Sequence, residues 1–217
     1  MAQIELAHNR DLGTQVKCLE QILIQSEVIT EILRLAPGLG MPNWYLGAGC
    51  IAQTVWNAQH GLDLDSNIRD CDLVYFDSSD TCYEAEDVYV RRARRLFEHV
   101  PIPVEIRNQA RVHLWYQKHF GYKIRPYDSV EDAINSWPTT ATSVAVRYEA
   151  SGEFVVYAPY GLNDLFGVIA RPNKTQITKE IYLQKVERWQ RIWHKLTVVP
   201  WDQLYRLLRR RTAPALL

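Results

Sequence analysis

The sequence has few cysteines, no long hydrophobic run and no excess of charge of either sign. Its four cysteines, Cys18, Cys50, Cys71 and Cys82, form no C-x-x-C pair, which argues against a zinc site or a disulfide framework. No apolar run approaches the roughly 20 residues needed to span a bilayer, and no signal-peptide pattern is present. We therefore expect a cytoplasmic protein without a membrane partner.

The charge balance narrows the choice of partner further. Lys plus Arg and Asp plus Glu are both 25, so the sequence does not favour a large nucleic-acid interface. A small basic patch near 91–95 could still bind RNA. With 217 residues and 47% hydrophobic content, the chain can bury a full core, and 1–217 is expected to be a single domain. Residues 1–40 are expected to be a helical extension packed on it, and 205–217 a basic tail.

Hydrophobic periodicity divides the rest of the chain into helices and strands. One long helix or two short ones are predicted over 14–36, and further helices over 51–61, 83–97, 129–136 and 178–196. Strands are predicted over 44–46, 69–76 and 104–107, with a hairpin over 144–157. The sequence Gly47-Ala48-Gly49 thus forms a turn between a strand and a helix.

Two aspartates open the second predicted strand. Because strand side chains alternate between faces, Asp70 and Asp72 project the same way, roughly 6 to 7 Å apart at the backbone. Two such carboxylates can bind hard divalent cations. Glu105, on the third predicted strand, points away from its apolar neighbours and is a candidate third ligand. A D-x-D pair alone fits a loop cap or a surface edge equally well, and Glu105 could instead pair with Arg107 or Arg111.

The glycine turn suits phosphate binding. Gly47 and Gly49 let a phosphate approach the backbone, and the N–H groups at the following helix N-terminus point at the anion. Two magnesium ions roughly 3.5 to 4 Å apart can neutralise phosphates and activate an attacking hydroxyl, and aspartate pairs hold such ions. Arg111, which follows the third strand, is a candidate phosphate ligand.

Several segments together resemble a known family. These are WYLGAGCIAQTVWN, IRDCDLVYFD, VEIRNQARVHLWY, WPTTATSV, APYGLNDLF and RPN, which lie between Trp44 and about Leu196. They are similar to a bacterial family of nucleotidyltransferases formerly described as a domain of unknown function. The resemblance implies an α+β fold related to DNA polymerase β, with helices packed on a small mixed β-sheet and with an N-terminal and a C-terminal helix added.

The resemblance also implies the site. It assigns Mg²⁺, or Mn²⁺ in its place, to Asp70 and Asp72 with Glu105 as the third acid, and phosphate binding to Gly47, Ala48 and Gly49. The wider superfamily usually has Gly-Gly or Gly-Ser in this turn, whereas this chain has Gly47-Ala48 and Gly49-Cys50. Two further candidate nucleotide-binding residues, Arg171 and Lys185, resemble cations of related enzymes.

Other polar residues have a simpler interpretation. Lys185 and Arg188 could equally be solvated charges on a helix surface. Gln53, Asn57 and His60 form a stripe on the helix after the turn, which could reach a nucleotide but is more commonly a solvated face.

The leading hypothesis is therefore an Mg²⁺-dependent nucleotidyltransferase that transfers a nucleotidyl group from a nucleoside triphosphate to an unidentified acceptor. Two alternatives stay open. One is a nucleotide-binding or regulatory module with this fold and little catalysis. The other is a toxin-like nucleotidyltransferase that modifies transfer RNA or a protein.

Overall fold

The computed structural model describes residues 7–203. Its helices are α1 (Leu12–Leu23), α2 (Glu27–Leu35), α3 (Gly49–His60), α4 (Tyr83–Leu96), α5 (Val112–Phe120), α6 (Val130–Ile134), α7 (Asn163–Phe166) and α8 (Lys179–Gln190). Its strands are β1 (Tyr45–Gly47), β2 (Cys71–Tyr75), β3 (Val104–Asn108), β4 (Ala145–Tyr148), β5 (Phe154–Tyr157), β6 (Ile169–Ala170) and β7 (Thr197–Val198).

Five of the strands form one mixed sheet in the order β3-β2-β1-β4-β5. The pairing of β2 with β3 is parallel and the other three pairings are antiparallel. Strands β6 and β7 form a separate parallel pair. Together with the helices, this arrangement confirms the expected α+β class with a small mixed sheet.

The two faces of β2 have different surroundings. Cys71, Leu73 and Tyr75 alternate along the strand and are buried in the main hydrophobic core. Val74, on the other face, belongs to a smaller cluster with Tyr45. Asp72 shares that second face because side chains two residues apart on a strand point the same way. The strand therefore separates a dry core from the face that carries the acid.

The N-terminal helical segment consists of two short helices rather than one long one. The Asp11 side chain accepts a hydrogen bond from the Thr14 N–H at 2.9 Å and caps α1. The Ser26 hydroxyl caps α2 by accepting from the Ile29 N–H at 3.0 Å. A serine at this position satisfies an orphan N–H of the new helix and stabilises the break between the two.

Helices α3 and α8 meet through a group of three tryptophans. The ring of Trp56 on α3 packs edge-on against Trp189 of α8 at 5.4 Å and against Trp193 at 5.3 Å between centroids. All three rings are nearly or completely buried. This packing places the C-terminal end of α8 beside α3, the helix that follows the glycine turn.

The sequence prediction did not assign the short helix α7 or the strands β6 and β7, and it differs from the structure in two longer helices. Residues 112–120 form α5, which the prediction did not assign, and α8 ends at Gln190 rather than near Leu196. Trp193 and Leu196 continue the apolar spacing but lie in turns beyond the helix. The predicted basic tail, 205–217, lies outside the described residues. Within 7–203, no helix is long and apolar enough to cross a membrane.

Candidate active site

A cleft of about 190 Å³ lies where β2, the start of α3 and one face of α8 meet. Its walls combine acidic, basic, amide and aromatic side chains with the backbone of the glycine turn. The lining residues are Ala48, Gly49, Gln53, Asp70, Asp72, Val74, Arg107, Gln109, Trp137, Pro138, Thr142, Lys185, Arg188 and Trp189. Five of the predicted site residues are therefore in one place: Ala48, Gly49, Asp70, Asp72 and Lys185.

Strand pairing positions the acids. Asp72 is opposite Gly47 of β1 on one side and opposite Glu105 of β3 on the other. Residues opposite each other on paired strands point to the same face, so Asp72 and Glu105 are neighbours across the sheet. Asp70 directly precedes β2 and has the same alternation as Asp72. The two aspartates line the cleft, whereas Glu105 is not among its lining residues.

Asp72 is electrostatically strained. Burial raises the pKa of its carboxyl group to about 7, and the negative charges of Asp70 and Glu105 add to the effect. Lys185 and Arg107 act in the opposite direction and favour the carboxylate. An acid whose own neighbours resist its ionisation gains most from a cation bound beside it.

The turn before α3 has an unusual backbone. Ala48 adopts φ 62° and ψ −129°, a conformation normally taken by glycine because a Cβ is crowded there. The turn is held by the Ala48 N–H, which donates to the Val144 carbonyl at 3.0 Å, and by the Cys50 thiol, which donates to the Gly47 carbonyl at 3.1 Å. Strain of this kind persists only where the surrounding structure enforces it.

Gly47 is required for packing rather than for access to a ligand. A Cβ at this position would lie 2.8 Å from the Trp137 ring and 2.9 Å from the Ala145 Cβ. Gly47 is buried and does not line the cleft. Of the three residues of the turn that were predicted to approach phosphate, only Ala48 and Gly49 line the cleft.

The N-terminus of α3 opens towards the cleft. Ala48 provides no side-chain cap for this twelve-residue helix, and Gly49 is its first residue. The first N–H groups of an uncapped helix are orphan donors at the positive end of the helix dipole. They form a suitable site for an anion.

Helix α8 contributes two of the positively charged side chains of the cleft, in addition to Arg107 of β3. Lys185 and Arg188 are three residues apart, so they share one face of the helix. Burial lowers the pKa of Lys185 and the charge of Arg188 lowers it further, while Asp72 and Asp70 raise it. Both side chains are only partly exposed, so the interpretation of this pair as solvated surface charge is wrong.

Arg111 does not reach this cleft. Its guanidinium is ion-paired with the buried Glu86 of α4, and its Nε donates to the Thr81 carbonyl at 3.2 Å. Glu86 also accepts from the Asn108 N–H at 2.8 Å. Arg111 thus holds α4 to the end of β3, and its predicted contact with phosphate is not supported.

Arg171 and Glu105 also have other partners. The Arg171 Nε donates to the Asp164 carboxylate at 2.6 Å, and Arg171 does not line the cleft. Glu105 accepts from the Arg107 guanidinium at 2.8 Å and is 42% exposed. Glu105 therefore affects Asp72 through its negative charge. It also orients the guanidinium of Arg107, which is a residue of the cleft wall.

Sequence reasoning missed several residues of the cleft. Arg107 lies two strand positions beyond Glu105, a spacing that puts both on one face and could have identified it. Gln53 lies one helical turn beyond Gly49, and it was assigned to a solvated stripe. The structure corrects that assignment, since Gln53 is 5% exposed and Asn57 is fully buried. No sequence signal indicated Trp137 or Trp189.

The aspartates are suited to a divalent cation. In the described part of the chain, no group of three or more His, Cys, Asp or Glu side chains is arranged to hold a metal. Mg²⁺, however, is commonly bound through one or two carboxylates and completes its shell with water and substrate phosphates. Asp70 and Asp72 supply two carboxylates, and a cation offsets the burial and the neighbouring negative charges that raise the pKa of Asp72. The residues present therefore fit such an ion.

The fold has a counterpart among solved structures. The chain matches an NMR structure described as revealing a CCA-adding enzyme head domain, with a TM-score of 0.68 and 25% sequence identity. The match covers 83% of this chain and 95% of that one. The sheet and its helices therefore have the fold of a nucleotidyltransferase head domain.

The family follows from the sequence itself. Residues 34–198 match the sequence model of a family described as nucleotidyltransferase. Because this match spans more than half of the chain, the protein belongs to that nucleotidyltransferase family. A comparison with curated proteins gives no significant match.

Proposed function

We propose that this protein is a divalent-metal-dependent enzyme that transfers a nucleotidyl group from a nucleoside triphosphate to an acceptor. The observation that carries the proposal is the meeting of Asp70 and Asp72 with Lys185 and the uncapped start of α3 in one cleft. Phosphoryl transfer requires carboxylates that bind a metal ion. It also requires a positively charged side chain and N–H donors that bind the phosphates.

The residues have distinct roles in this proposal. Asp70 and Asp72 hold Mg²⁺ or Mn²⁺, which when bound neutralises phosphate charge and lowers the pKa of the attacking hydroxyl. Lys185 and Arg188 bind phosphate oxygens from one side, and the N–H groups at Gly49 bind them from the other. Arg107, oriented by Glu105, lies at the edge of the same cleft and can neutralise charge that develops during transfer.

The reaction balances without another reactant. The acceptor oxygen forms a bond to the α-phosphorus, and the bond from that phosphorus to the α,β-bridging oxygen breaks. Pyrophosphate leaves with the electron pair of that bond, and the proton of the acceptor hydroxyl is released. The products are the nucleotidylated acceptor, pyrophosphate and a proton.

The test is transfer of label by the purified chain. Each α-labelled nucleoside triphosphate is incubated with Mg²⁺ or Mn²⁺ and with total RNA or total protein from a bacterial lysate, and pyrophosphate release is measured in parallel. Asp72→Asn is expected to lower the rate by roughly 100-fold or more, because it removes several kcal/mol of charge stabilisation. The fraction that becomes labelled identifies the acceptor as RNA or protein.

Asp128→Asn is the matched control, since the Asp128 side chain is 92% exposed and does not line the cleft. It should keep full activity. Equal rates for Asp72→Asn and Asp128→Asn would contradict the proposed site. Metal-dependent binding of triphosphates with no release of pyrophosphate would instead establish the binding or regulatory module.

A further inference from the structure

Two buried polar atoms beside the cleft have no hydrogen-bond partner among residues 7–203. They are the side-chain carbonyl oxygen of Gln53 and the indole nitrogen of Trp189. Gln53 is 5% exposed and Trp189 is 2% exposed, and both residues line the cleft. Leaving a buried donor or acceptor unpaired costs free energy, so unpaired groups at a cleft wall point to a ligand that completes them.

Several neighbours of these two side chains are satisfied. Two other buried atoms of the described residues, the Thr54 hydroxyl oxygen and the His113 Nδ1, are also unpaired, but they belong to residues that do not line the cleft. In the three-tryptophan group, the Trp56 indole donates to the Leu165 carbonyl at 3.2 Å, and the Trp193 indole donates to the Asn57 side chain at 2.9 Å. Asn57, one turn beyond Gln53 on α3, also donates to the Leu64 and Ser66 carbonyls. In these two sets, the unpaired groups are those of the residues that line the cleft.

The two residues lie next to the elements assigned to phosphate binding. Gln53 is four residues after Gly49 on α3, and its amide nitrogen lies 3.1 Å from where a Gly49 Cβ would be. Trp189 is four residues after Lys185 on α8. Four residues span about one helical turn, a rise of roughly 6 Å. Groups that complete these two atoms would therefore lie about one helical turn from the residues that we assign to phosphate binding.

The chemistry of the pair indicates what that group is. An indole N–H can only donate, and an amide carbonyl oxygen can only accept. An anionic phosphate oxygen satisfies the indole but has no proton to give Gln53. A hydroxyl group does both, and in a nucleoside triphosphate the group attached to the phosphates is the ribose.

We propose that Gln53 and Trp189 recognise a hydroxyl of the ribose and make the enzyme selective for ribonucleotides over deoxynucleotides. This inference rests on the proposed function, because it assigns a specificity to the same cleft. Neither side chain is a catalytic residue, since they contact the sugar and not the reacting phosphorus. Removal of either should change the choice between nucleotides.

The test compares three variants by calorimetric binding and thermal unfolding. The probes are ATP, CTP, 2′-deoxy-ATP, 3′-deoxy-ATP and tripolyphosphate, each with Mg²⁺. For the wild type, we expect one of the deoxynucleotides to bind about tenfold more weakly than ATP, the usual value of one hydrogen bond in a buried site. Gln53→Leu and Trp189→Phe should reduce that ratio to near one and leave tripolyphosphate affinity unchanged. Trp189→Phe also removes ring contacts with Trp56 and should lower the melting temperature, whereas Gln53→Leu should keep or raise it.

Trp193→Phe is the matched control, because it breaks the hydrogen bond to Asn57 and does not affect a cleft residue. It should lower the melting temperature and leave the ratio intact. If Gln53→Leu weakens tripolyphosphate as much as ATP, the contact is with phosphate and the inference fails. A change that depends on the base, or loss of stability with an unchanged ratio, also overturns it.

The failure of the inference is distinguishable from that of the proposed function. If the wild-type protein binds none of these nucleotides, the proposed function fails and the selectivity fails with it. If the wild type binds them and the ratio is the same in all variants, the proposed function stands and the inference alone is overturned.

Discussion

Two positively charged side chains, Arg111 and Lys185, differ in whether the protein itself provides a partner for the charge. Arg111 is paired with Glu86, and its Nε donates to the Thr81 carbonyl, so it stabilises the fold. Lys185 has no ion-pair partner within 4.0 Å among residues 7–203, although Asp70 and Asp72 are near enough to affect its pKa. A charged side chain that forms an ion pair within its own protein stabilises the structure, whereas one without an ion-pair partner is available to a ligand.

Other groups of the cleft resemble Lys185 in that the free protein leaves them in an unfavourable state. Asp72 has a raised pKa, Ala48 has a strained backbone, and Gln53 and Trp189 keep unpaired polar atoms. Each of these features costs stability in the free protein. Sites built for ligands commonly carry such costs, because the stabilising partner arrives with the ligand. The following predictions test this contrast between the Arg111–Glu86 pair and the cleft.

The largest effect is expected on the Arg111 side. Arg111→Met leaves Glu86 charged and 7% exposed with no counter-ion, so the free energy of unfolding should fall by about 3–5 kcal/mol. Urea unfolding measures the change, and Arg111→Met with Glu86→Gln should recover part of it. If Arg111→Met weakened nucleotide binding without loss of stability, Arg111 would be a ligand residue after all.

Asp72 should behave in the opposite way. Because its folded pKa is raised from 3.8 to about 7, its contribution to stability is complete below pH 3.8 and is lost as the pH rises through about 7. Without metal, Asp72→Asn should therefore exceed the wild type in stability at pH 8 by about 2–3 kcal/mol, after allowance for partial exposure. Urea unfolding in EDTA at pH 5 and pH 8 measures the difference, which should shrink at the lower pH. If Asp72→Asn and the wild type were equally stable at both pH values, the electrostatic strain at Asp72 would be contradicted.

Lys185→Met should separate binding from folding. We expect triphosphate affinity to fall by about 10- to 100-fold, the worth of a charged hydrogen bond, while the melting temperature stays the same or rises. Calorimetry with Mg²⁺ and a triphosphate gives the affinity. Arg191→Met is the control, since Arg191 is 74% exposed and follows the same helix. A Lys185 variant that unfolds early would place Lys185 with Arg111 as a structural cation.

The smallest effect is expected in the turn. Ala48→Gly relieves the crowded Cβ at φ 62° and should raise the free energy of unfolding by about 1 kcal/mol, since strain of 1–3 kcal/mol is offset by the entropy of glycine. Gly47→Ala should do the reverse, because its Cβ would meet Trp137. Thermal unfolding of both variants checks the signs. Destabilisation by Ala48→Gly would show that the turn is not strained.

Local patterns in the sequence predicted the elements that carry the cleft. Helix α4 was predicted from the acidic residues in its first turn and the basic residues in its last turn. Helix α3 ends as expected at Gly61, which has the left-handed conformation. The alternation around Asp70 and Asp72 predicted that both side chains point the same way, and both residues line the cleft. These features were accessible because each depends on residues within a few positions of one another.

Long-range pairings were not accessible in the same way. The partner of Arg111 lies 25 residues away on another helix, and the Asn57 side chain is completed by Trp193, 136 residues distant. The polar stripe on α3 has the spacing of a solvated face, but Gln53 and Asn57 are buried, and the Asn57 side chain contacts Trp193, which lies beyond the end of α8. A sequence gives the side chain of Gln53 or Arg111, but the fold decides what it meets.

The parallel pairing of β2 with β3 has a consequence for how the protein acquires its activity. Parallel strands need a crossover, here the stretch containing α4, and α8 joins the cleft from more than a hundred residues beyond Asp72. Contacts so distant along the chain form late in folding, since each must first close a long loop. The cleft is thus assembled after the local helices, so a chain that has regained its helices does not yet have the candidate site.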